Sequence, residues 1–323
     1  MPAQPAGAAR RPEFIQTALP DPAAQRDELA RGLLQERPGI APKFFYDTLG
    51  SKLFEAITAL DEYTPTRAEA SILDGQIEPI ARACGEGHTL VDLGAGNCAK
   101  AARLFGRLKP RRYVALDIST DFLQQALQAL QARHPDLPML GLGMDLESLP
   151  ALPPQVGEGS RLMFYPGSSI GNFAPDAGTS FLRRVRAAAP GGGLLIGVDL
   201  LKPAPLLQRA YDDALGVTAA FNLNLLRHVN RLLGSDFNPA QWRHVALFDA
   251  AAARVEMHLE AREDLRVQWP RGSREFRRGE RLLTEIACKY TIEGFDALLR
   301  GAGYVQTHCW TDAPRGFAVF VAR

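Results

Sequence analysis

The sequence predicts an α/β fold with an open, mostly parallel sheet, and two observations lead to this prediction. An apolar segment at residues 89–93 is followed at once by Gly94 and Gly96, and a helical apolar pattern begins at Ala101. A strand, a glycine turn and a helix in this order form a ligand site at the carboxyl end of a strand in such sheets. From residue 89 onwards strand-like and helix-like segments alternate, which is typical of a parallel sheet covered by helices on both faces.

The segments that precede the glycine loop are predicted to be helical. An amphipathic pattern covers residues 27–35, and Ser51 is a candidate N-cap for a helix over residues 53–60. The segment YTPT at residues 63–66 interrupts this pattern, and a further helix is predicted at 67–83. In the alternating region the predicted strands are 89–93, 113–116, 139–144, 161–165 and 193–198, and the predicted helices are 122–132 and 176–189.

The alternation stops near residue 201, where we predict an inserted α+β unit. Helical patterns at 206–215 and 217–233 precede three segments of alternating polar and apolar residues, at 242–248, 255–262 and 281–288. A helix at 292–302 and strands at 304–310 and 317–321 then return to the main sheet. We therefore predict a main domain at 72–202 and 291–323, a lid over the strand ends at 14–71 and 203–290, and a flexible tail at 1–13.

The composition argues against several classes of protein. The chain has 323 residues and a formal net charge of +1, which gives no reason to expect a nucleic-acid partner. We find no apolar run that approaches a membrane span and no secretory signal pattern. The four cysteines form no CxxC pair and no metal-like group with histidine, so we expect a cytoplasmic protein without a metal site. The arginines near residue 275 alternate with acids and predict a solvated loop; they are Arg271, Arg274, Arg277 and Arg278.

Carboxylates at the predicted strand ends indicate which ligand the glycine loop binds. Gly94, Gly96 and Ala99 match the loose dinucleotide pattern G-x-G-x-x-[GA], so a nicotinamide cofactor is one alternative. Asp92, directly before the glycines, would repel a pyrophosphate but can meet the cationic methionine end of S-adenosylmethionine. Asp117 ends the next strand, where an acid can accept both ribose hydroxyls of either cofactor. Asp145 ends the strand after that, where the adenine amino group of S-adenosylmethionine would lie.

Longer motifs carry a specific resemblance that covers residues 42–323. In order along the chain they are PKFFYDTLGSKLFEAIT, LDEYTPTRAE, the glycine loop, YPGSSIGNF, RAYDDALGVTAAFN, RVEMHLEAR and LLTEIACKY. Together they closely resemble the histidine Nα-methyltransferases of ergothioneine biosynthesis. This resemblance implies a class I (Rossmann-like) methyltransferase sheet with an inserted α+β substrate-binding lid. It further implies S-adenosyl-L-methionine as cofactor and a small amino-acid substrate. We expect a monomer that binds neither nucleic acid nor membrane.

The same resemblance implies roles for individual residues. The positions that match cofactor contacts are Gly94, Lys100, Asp117, Asp145 and Leu146, to which the residue chemistry adds Asp92 and Gly96. The positions that match the amino-acid pocket are Tyr46, Tyr63, Asn172, Tyr211, Met257 and Glu285.

The chemistry of these side chains suits methyl transfer to an amine, which needs a neutral amine held in line with the methyl group. Tyr46 and Tyr63 are the candidate catalytic residues, because their hydroxyls can contact the amine and their faces suit a growing ammonium. Asn172 and Tyr211 can donate to a carboxylate, and Glu285 can accept from an imidazole N–H. By pattern alone, Tyr46, Tyr63 and Met257 would each be core residues.

One position departs from the family pattern and leaves the substrate open. The family typically has serine where this chain has Ala287, two residues after Glu285. Strict alternation along 281–288 predicts that Glu285 shares one face of the strand with Leu283 and Ala287. The resemblance predicts methylation of the α-nitrogen of L-histidine, in three steps, to the trimethyl betaine hercynine. Without the serine hydroxyl, another aromatic amino acid or a histidine derivative is the first alternative. The others are a nicotinamide-dependent dehydrogenase and a non-catalytic partner subunit.

Overall fold

Among the described residues the main sheet has eight strands, of which seven run in one direction and one is reversed. The computed structural model describes residues 10–16, 21–146 and 152–323. The strands of the main sheet are β1 Glu13–Gln16, β2 Thr89–Leu93, β3 Arg112–Asp117, β4 Met139–Gly143, β5 Arg161–Tyr165, β6 Gly193–Asp199, β12 Thr307–Thr311 and β13 Phe317–Ala322. The strand order is β1-β4-β3-β2-β5-β6-β13-β12, and β13 is antiparallel to both of its neighbours. This order, with the reversed strand beside β6, confirms the predicted class I fold.

Helices cover both faces of this sheet, because its strands are apolar on both sides. Val91 and Leu93 pack into one core and Leu90 into the other, as expected for successive side chains of a strand. The helices are α3 Pro65–Gly75, α4 Ile77–Cys84, α5 Ala99–Ala102, α6 Phe105–Leu108, α7 Thr120–Arg133, α8 Pro175–Ala187 and α11 Ile292–Gly301. The carboxyl ends of β2 to β6 therefore meet at one edge, where the glycine loop lies.

A second group of elements has its own core above this edge. Its helices are α1 Pro22–Leu33, α2 Thr48–Thr58, α9 Ala204–Arg209 and α10 Val217–Leu233. They pack with a three-stranded antiparallel sheet and a hairpin, whose strands are β7 Trp242–Asp249, β8 Arg254–Ala261, β9 Leu265–Trp269, β10 Gly272–Phe276 and β11 Arg281–Cys288. The buried residues of this second core come from residues 29–63 and 207–287.

The ends of α10 show how local sequence sets an element. Gly216 and Gly234 flank the helix in the left-handed conformation, and the Gly234 N–H donates to the Asn230 carbonyl. The carboxylate of Asp213 accepts from the backbone N–H groups of Val217 and Thr218, at 3.0 and 2.8 Å. The predicted bounds 217–233 agree with the structure because both ends carry local stop signals.

Several local predictions were wrong. The predicted helix 67–83 is two helices, because the chain leaves the helical conformation at Gln76. The helix expected at 206–215 ends at Arg209, and the N-cap of α2 is Asp47, which accepts from the Gly50 N–H over 2.7 Å, rather than Ser51. The loop expected near residue 275 contains β10, whose pairing with β9 the charge pattern did not reveal.

The N-terminal segment also differs from the prediction. Glu13 was assigned to the tail and Phe14–Gln16 to the lid, yet all four residues form β1 at the edge of the main sheet beside β4. Gly141 makes room for this strand, because a Cβ there would lie 2.5 Å from the Phe14 ring. Residues 1–9 of the predicted tail lie outside the described residues.

Candidate active site

The glycine loop and the end of β3 are tied together by Asp117. Gly94 and Gly96 have φ values of +75° and +52°, a region that L side chains rarely adopt, so the turn requires glycine. The Asp117 carboxylate accepts from the backbone N–H groups of Gly96 and Ser119, each over 2.9 Å. Burial raises the pKa of Asp117, while these backbone bonds oppose the change. The carboxylate is thereby held at the cleft with lone pairs left for ligand hydroxyls.

Two clefts meet at this loop and share the lining residues Phe54, Gly94 and Gly96. The first has a volume of about 220 Å³, and its lining includes the predicted residues Tyr46, Gly94, Gly96, Asp117, Asp145, Leu146 and Asn172. The second has a volume of about 240 Å³, and its lining includes Tyr63, Asp92 and Lys100. The structure therefore places the predicted cofactor residues along one connected groove at the carboxyl edge of the sheet.

Asp92 presents an unpartnered buried oxygen to the second cleft. The residue is 1% exposed, and one carboxylate oxygen accepts from the Tyr113 hydroxyl over 2.7 Å. The other oxygen, Oδ1, has no hydrogen-bond partner among the described residues. Burial raises the pKa of Asp92 to about 7, although the Tyr113 bond and Lys100 oppose it. A buried carboxylate oxygen of this kind suits a cationic ligand.

The other predicted cofactor residues are each tied to a different part of the chain. Asp145 accepts from the Lys43 ammonium over 3.2 Å, and Lys43 also pairs with Glu28 at 3.0 Å. Leu146 faces Gly94, because a Cβ on that glycine would contact Leu146 Cδ1 at 3.5 Å. Residues of α1 and of the turn after it thus close the adenine end expected at Asp145.

Lys100 is held by Glu69, a residue that sequence reasoning missed. The Lys100 ammonium lies 2.6 Å from Glu69 Oε2, and Glu69 is 1% exposed. The same carboxylate accepts from the Gly167 N–H at 2.9 and 3.1 Å, and a side chain on Gly197 would collide with it. Glu69 therefore fixes Lys100 and the loop after β5 together. The only sequence signal was its position in the quoted motif LDEYTPTRAE.

Three tyrosines that lie in or against the second core form a polar centre with Glu285. Phe54 lies edge-on between Tyr46 and Tyr63, with ring centroids at 5.8 and 6.3 Å, and Tyr63 lies 6.4 Å from Tyr211. Burial raises the pKa of all three tyrosines well above the ordinary value, and the charge of Glu285 adds to this effect. Their hydroxyls therefore stay protonated at neutral pH.

A β-bulge in β11 aims Glu285 at this centre. The register shifts between Leu283 and Glu285, so Glu285 pairs with Met257 and Ala287 pairs with Val255. Glu285 and Ala287 thus share a face, as predicted, but Glu285 does not share it with Leu283, which pairs with His258. Burial raises the pKa of Glu285 to about 7, and Lys289 opposes this effect.

Asn172 connects the glycine-loop groove to Glu285. It ends the short helical turn Ser169–Asn172 and lines both the first cleft and a further cleft of about 360 Å³ that contains Glu285. Gly171 lets this turn approach β11, because a Cβ there would lie 2.8 Å from the Cys288 carbonyl oxygen. Tyr211, Met257 and Ala287 do not line these three clefts but are buried beside them, in the second core.

Comparison with known proteins assigns the chain to a family. Residues 25–323 match the family described as histidine-specific methyltransferase, SAM-dependent. The chain belongs to this family.

Individual related proteins agree with this assignment to the histidine-specific methyltransferases. The histidine N-alpha-methyltransferase of Mycolicibacterium smegmatis is 40% identical over 306 residues, which cover 93% of this chain and 94% of that protein. The protein of the same name from Mycobacterium tuberculosis is 38% identical with the same coverage. Ergothioneine biosynthesis protein 1 of Neurospora crassa is 30% identical over 276 residues, 82% of this chain and 31% of that protein.

Membership of the family decides between the ligands that the glycine loop left open. The histidine-specific methyltransferase uses S-adenosylmethionine, and the nicotinamide alternative is rejected. Within the described residues, no group of three histidine, cysteine or acidic side chains is placed to hold a metal ion, and no helix has the length and apolarity to cross a membrane.

Proposed function

We propose that this enzyme transfers methyl groups from S-adenosylmethionine to the α-amino group of L-histidine, in three successive steps, to give the trimethyl betaine. The observation that carries the proposal is the placement of Glu285 by the bulge, beside Tyr46, Tyr63 and Tyr211 and next to the glycine-loop groove. A carboxyl group in this position can accept the N–H of an imidazole. Asn172 lines both the cleft at the glycine loop and the cleft that contains Glu285, so it connects Glu285 to the cofactor residues in space.

The groove fits S-adenosylmethionine. The orphaned Oδ1 of Asp92 offers a buried negative partner for the cationic methionine end, and Lys100 can meet its carboxylate. Asp117 is held by two backbone N–H groups where ribose hydroxyls can donate to it. When bound, S-adenosylmethionine supplies a methyl group activated by a positively charged sulfur.

The side chains of the amino-acid pocket bind and orient rather than abstract protons. The pKa values of Tyr46 and Tyr63 lie well above the ordinary value because of burial, so neither hydroxyl is a ready base at neutral pH. We assign these hydroxyls to hold the neutral amine, and their ring faces to stabilise the ammonium that forms. The ammonium formed in each of the first two steps releases a proton to water before the next methyl transfer. Asn172 and Tyr211 donate to the carboxylate of the substrate, and Met257 packs opposite Glu285.

We also propose that residues 14–71 and 203–290 act as a substrate-binding lid on the S-adenosylmethionine-binding domain at 72–202 and 291–323, with β1 as an exception that belongs to the main sheet. The separate core of residues 29–63 and 207–287 supports this division. A monomer is sufficient for activity, because one chain supplies every residue of the candidate site; light scattering of the purified enzyme tests this. The four cysteines are free thiols, which supports a cytoplasmic location.

The product of the reaction tests the proposed function directly. The enzyme is incubated with L-histidine and excess S-adenosylmethionine, and the product is examined by mass spectrometry and NMR. We expect three added methyl groups, all on the α-nitrogen. Methyl groups on an imidazole nitrogen would contradict the orientation proposed here. Equilibrium binding of S-adenosylhomocysteine, with NADH as the control, tests the groove separately.

A further inference from the structure

Lys289 places a buried ammonium group directly behind the amino-acid pocket. It follows β11 by one residue and is 4% exposed. Its Nζ lies 2.9 Å from Asp199 Oδ2 and donates to the Tyr211 hydroxyl over 2.9 Å. The same nitrogen is 4.8 Å from the centre of the Tyr211 ring. The sequence signalled Lys289 only by its position in the quoted motif LLTEIACKY and did not single out Asp199, and the mechanism above uses neither residue.

Asp199 is shared by two lysines, so it offsets the positive charge of Lys289 only in part, and Glu285 is the other carboxyl group that interacts with that charge. Asp199 Oδ2 pairs with Lys289, while Oδ1 pairs with Lys202, whose ammonium also donates to the Gly316 carbonyl over 3.2 Å. Neither ammonium has a second carboxylate within ion-pair distance among the described residues. Of the two lysines, Lys289 contacts Tyr211 and Lys202 does not.

The contact with Lys289 decides the direction in which the Tyr211 hydroxyl donates. A lysine ammonium has three donors and no acceptor, so Tyr211 Oη must accept from it and point its own proton elsewhere. Within the described residues, the structure shows no protein acceptor for that proton. The hydroxyl is thus a donor kept for a ligand, and a donor polarised by a neighbouring cation forms its strongest bonds with an anion.

We propose that Lys289, held by Asp199, is a positioning residue that fixes Tyr211 as a hydrogen-bond donor and makes the pocket selective for substrates with a free α-carboxylate. This inference rests on the proposed amino-acid methylation and deepens it, because it names the group that the pocket requires. A carboxylate gains from both the oriented donor and the positive charge of Lys289 behind it. An uncharged amide gains much less from either.

Binding measurements can isolate this selectivity without turnover. Isothermal titration calorimetry in the presence of S-adenosylhomocysteine gives the dissociation constants of L-histidine and L-histidinamide. We expect Lys289→Met to weaken L-histidine binding by roughly ten- to hundredfold, the size of a hydrogen bond to a charged group. The same substitution should change the dissociation constant of histidinamide by less than about threefold. The preference of the unmodified enzyme for the free carboxylate should therefore fall several-fold or more, and the part that Asn172 supplies should remain.

Lys202→Met is the matched control. It removes the same charge from the same Asp199 carboxylate but touches no group of the pocket, so we expect it to keep most of the carboxylate preference. Tyr211→Phe deletes the hydroxyl and leaves the Asp199–Lys289 pair in place. It tests the same contact if Lys289→Met does not fold, and it should likewise weaken L-histidine more than histidinamide. The melting temperature and the affinity for S-adenosylhomocysteine report on the fold of each variant.

Two outcomes would overturn the role of Lys289. One is an equal loss of L-histidine and histidinamide binding in a folded Lys289→Met enzyme, which would make the residue structural. The other is a loss of selectivity for L-histidine over histidinamide in Lys202→Met that equals the loss in Lys289→Met. That result would assign the effect to charge alone. L-tryptophan and its amide are measured in parallel. If the unmodified enzyme binds L-tryptophan more tightly than L-histidine, histidine is refuted as the substrate. If Lys289→Met then reduces the preference for L-tryptophan over its amide, the role of Lys289 is supported.

Discussion

Replacing Glu285 by glutamine should remove a titration near pH 7 from the pH profile of kcat/KM for L-histidine. Burial raises the pKa of Glu285 to about 7, against the pull of Lys289. The ionised carboxylate is the form that accepts an imidazole N–H. Its population should fall from about nine-tenths at pH 8 to about one-tenth at pH 6, one unit on either side of the pKa. Glutamine has no such titration.

The assay compares two pH profiles of kcat/KM for L-histidine, measured from pH 6 to pH 9 at saturating S-adenosylmethionine. The imidazole and the α-amine of the substrate titrate in both profiles, so the ratio of unmodified enzyme to Glu285→Gln cancels them. We expect this ratio to rise about tenfold between pH 6 and pH 8 and then level off. At pH 8 the unmodified enzyme should be ten- to hundredfold better, roughly the worth of a charge-assisted hydrogen bond. A ratio that does not change with pH would refute the reasoning.

The raised pKa of Glu285 also predicts how the stability of the protein changes with pH, because the folded protein favours the uncharged carboxyl group. The folded-state pKa of Glu285 is raised from the ordinary 4.5 to about 7. Its contribution to stability is therefore fully present below about pH 4.5 and is lost as the pH rises through 7. The shift corresponds to about 3 kcal/mol at most. The free energy of unfolding in urea is measured at pH 5 and pH 8. Relative to the unmodified enzyme, Glu285→Gln should be more stable at pH 8 than at pH 5. No relative gain would mean that Glu285 is well solvated.

Three further substitutions test other parts of the site. Asp117→Ala should weaken S-adenosylmethionine binding more than tenfold, because the ribose hydroxyls lose a charged acceptor; an unchanged dissociation constant would place the nucleoside elsewhere. Ala287→Ser should lower the KM for histidine several-fold, about 1 kcal/mol for one new hydrogen bond on the face of Glu285. A histidine KM that stays the same or rises, together with better use of another amino acid, would show a different substrate. Glu69→Gln should weaken S-adenosylhomocysteine binding several-fold, because Lys100 loses a buried ionic partner. Glu78→Gln, which removes an exposed ion pair with Arg107, is its control and should have no measurable effect; equal effects of the two would leave Glu69 without a special role.

Local sequence was sufficient where the physical cause is local. The strand β2, its two positive-φ glycines and Asp117 were predicted, because a buried strand, a sharp turn and a strand-end carboxylate each occupy a few neighbouring residues. Helix α10 was predicted to the residue for the same reason, since glycines mark both of its ends. The longer motifs added the family, and with it the expected roles of Tyr46, Tyr63 and Asn172.

Only the tertiary structure decided the features that join distant segments. Glu69 contacts Lys100 and Gly167, which lie 31 and 98 residues further along the chain, and nothing in its own neighbourhood shows that it is buried. The bulge that aims Glu285 depends on the pairing of β11 with β8, and strict alternation along β11 alone gave it the wrong neighbour in Leu283. Lys289 meets Tyr211 and Asp199 only because the second core packs against the end of β6. A side chain's charge can be read from the sequence, but its partner, and hence its function, is set by which elements the fold brings within hydrogen-bonding distance.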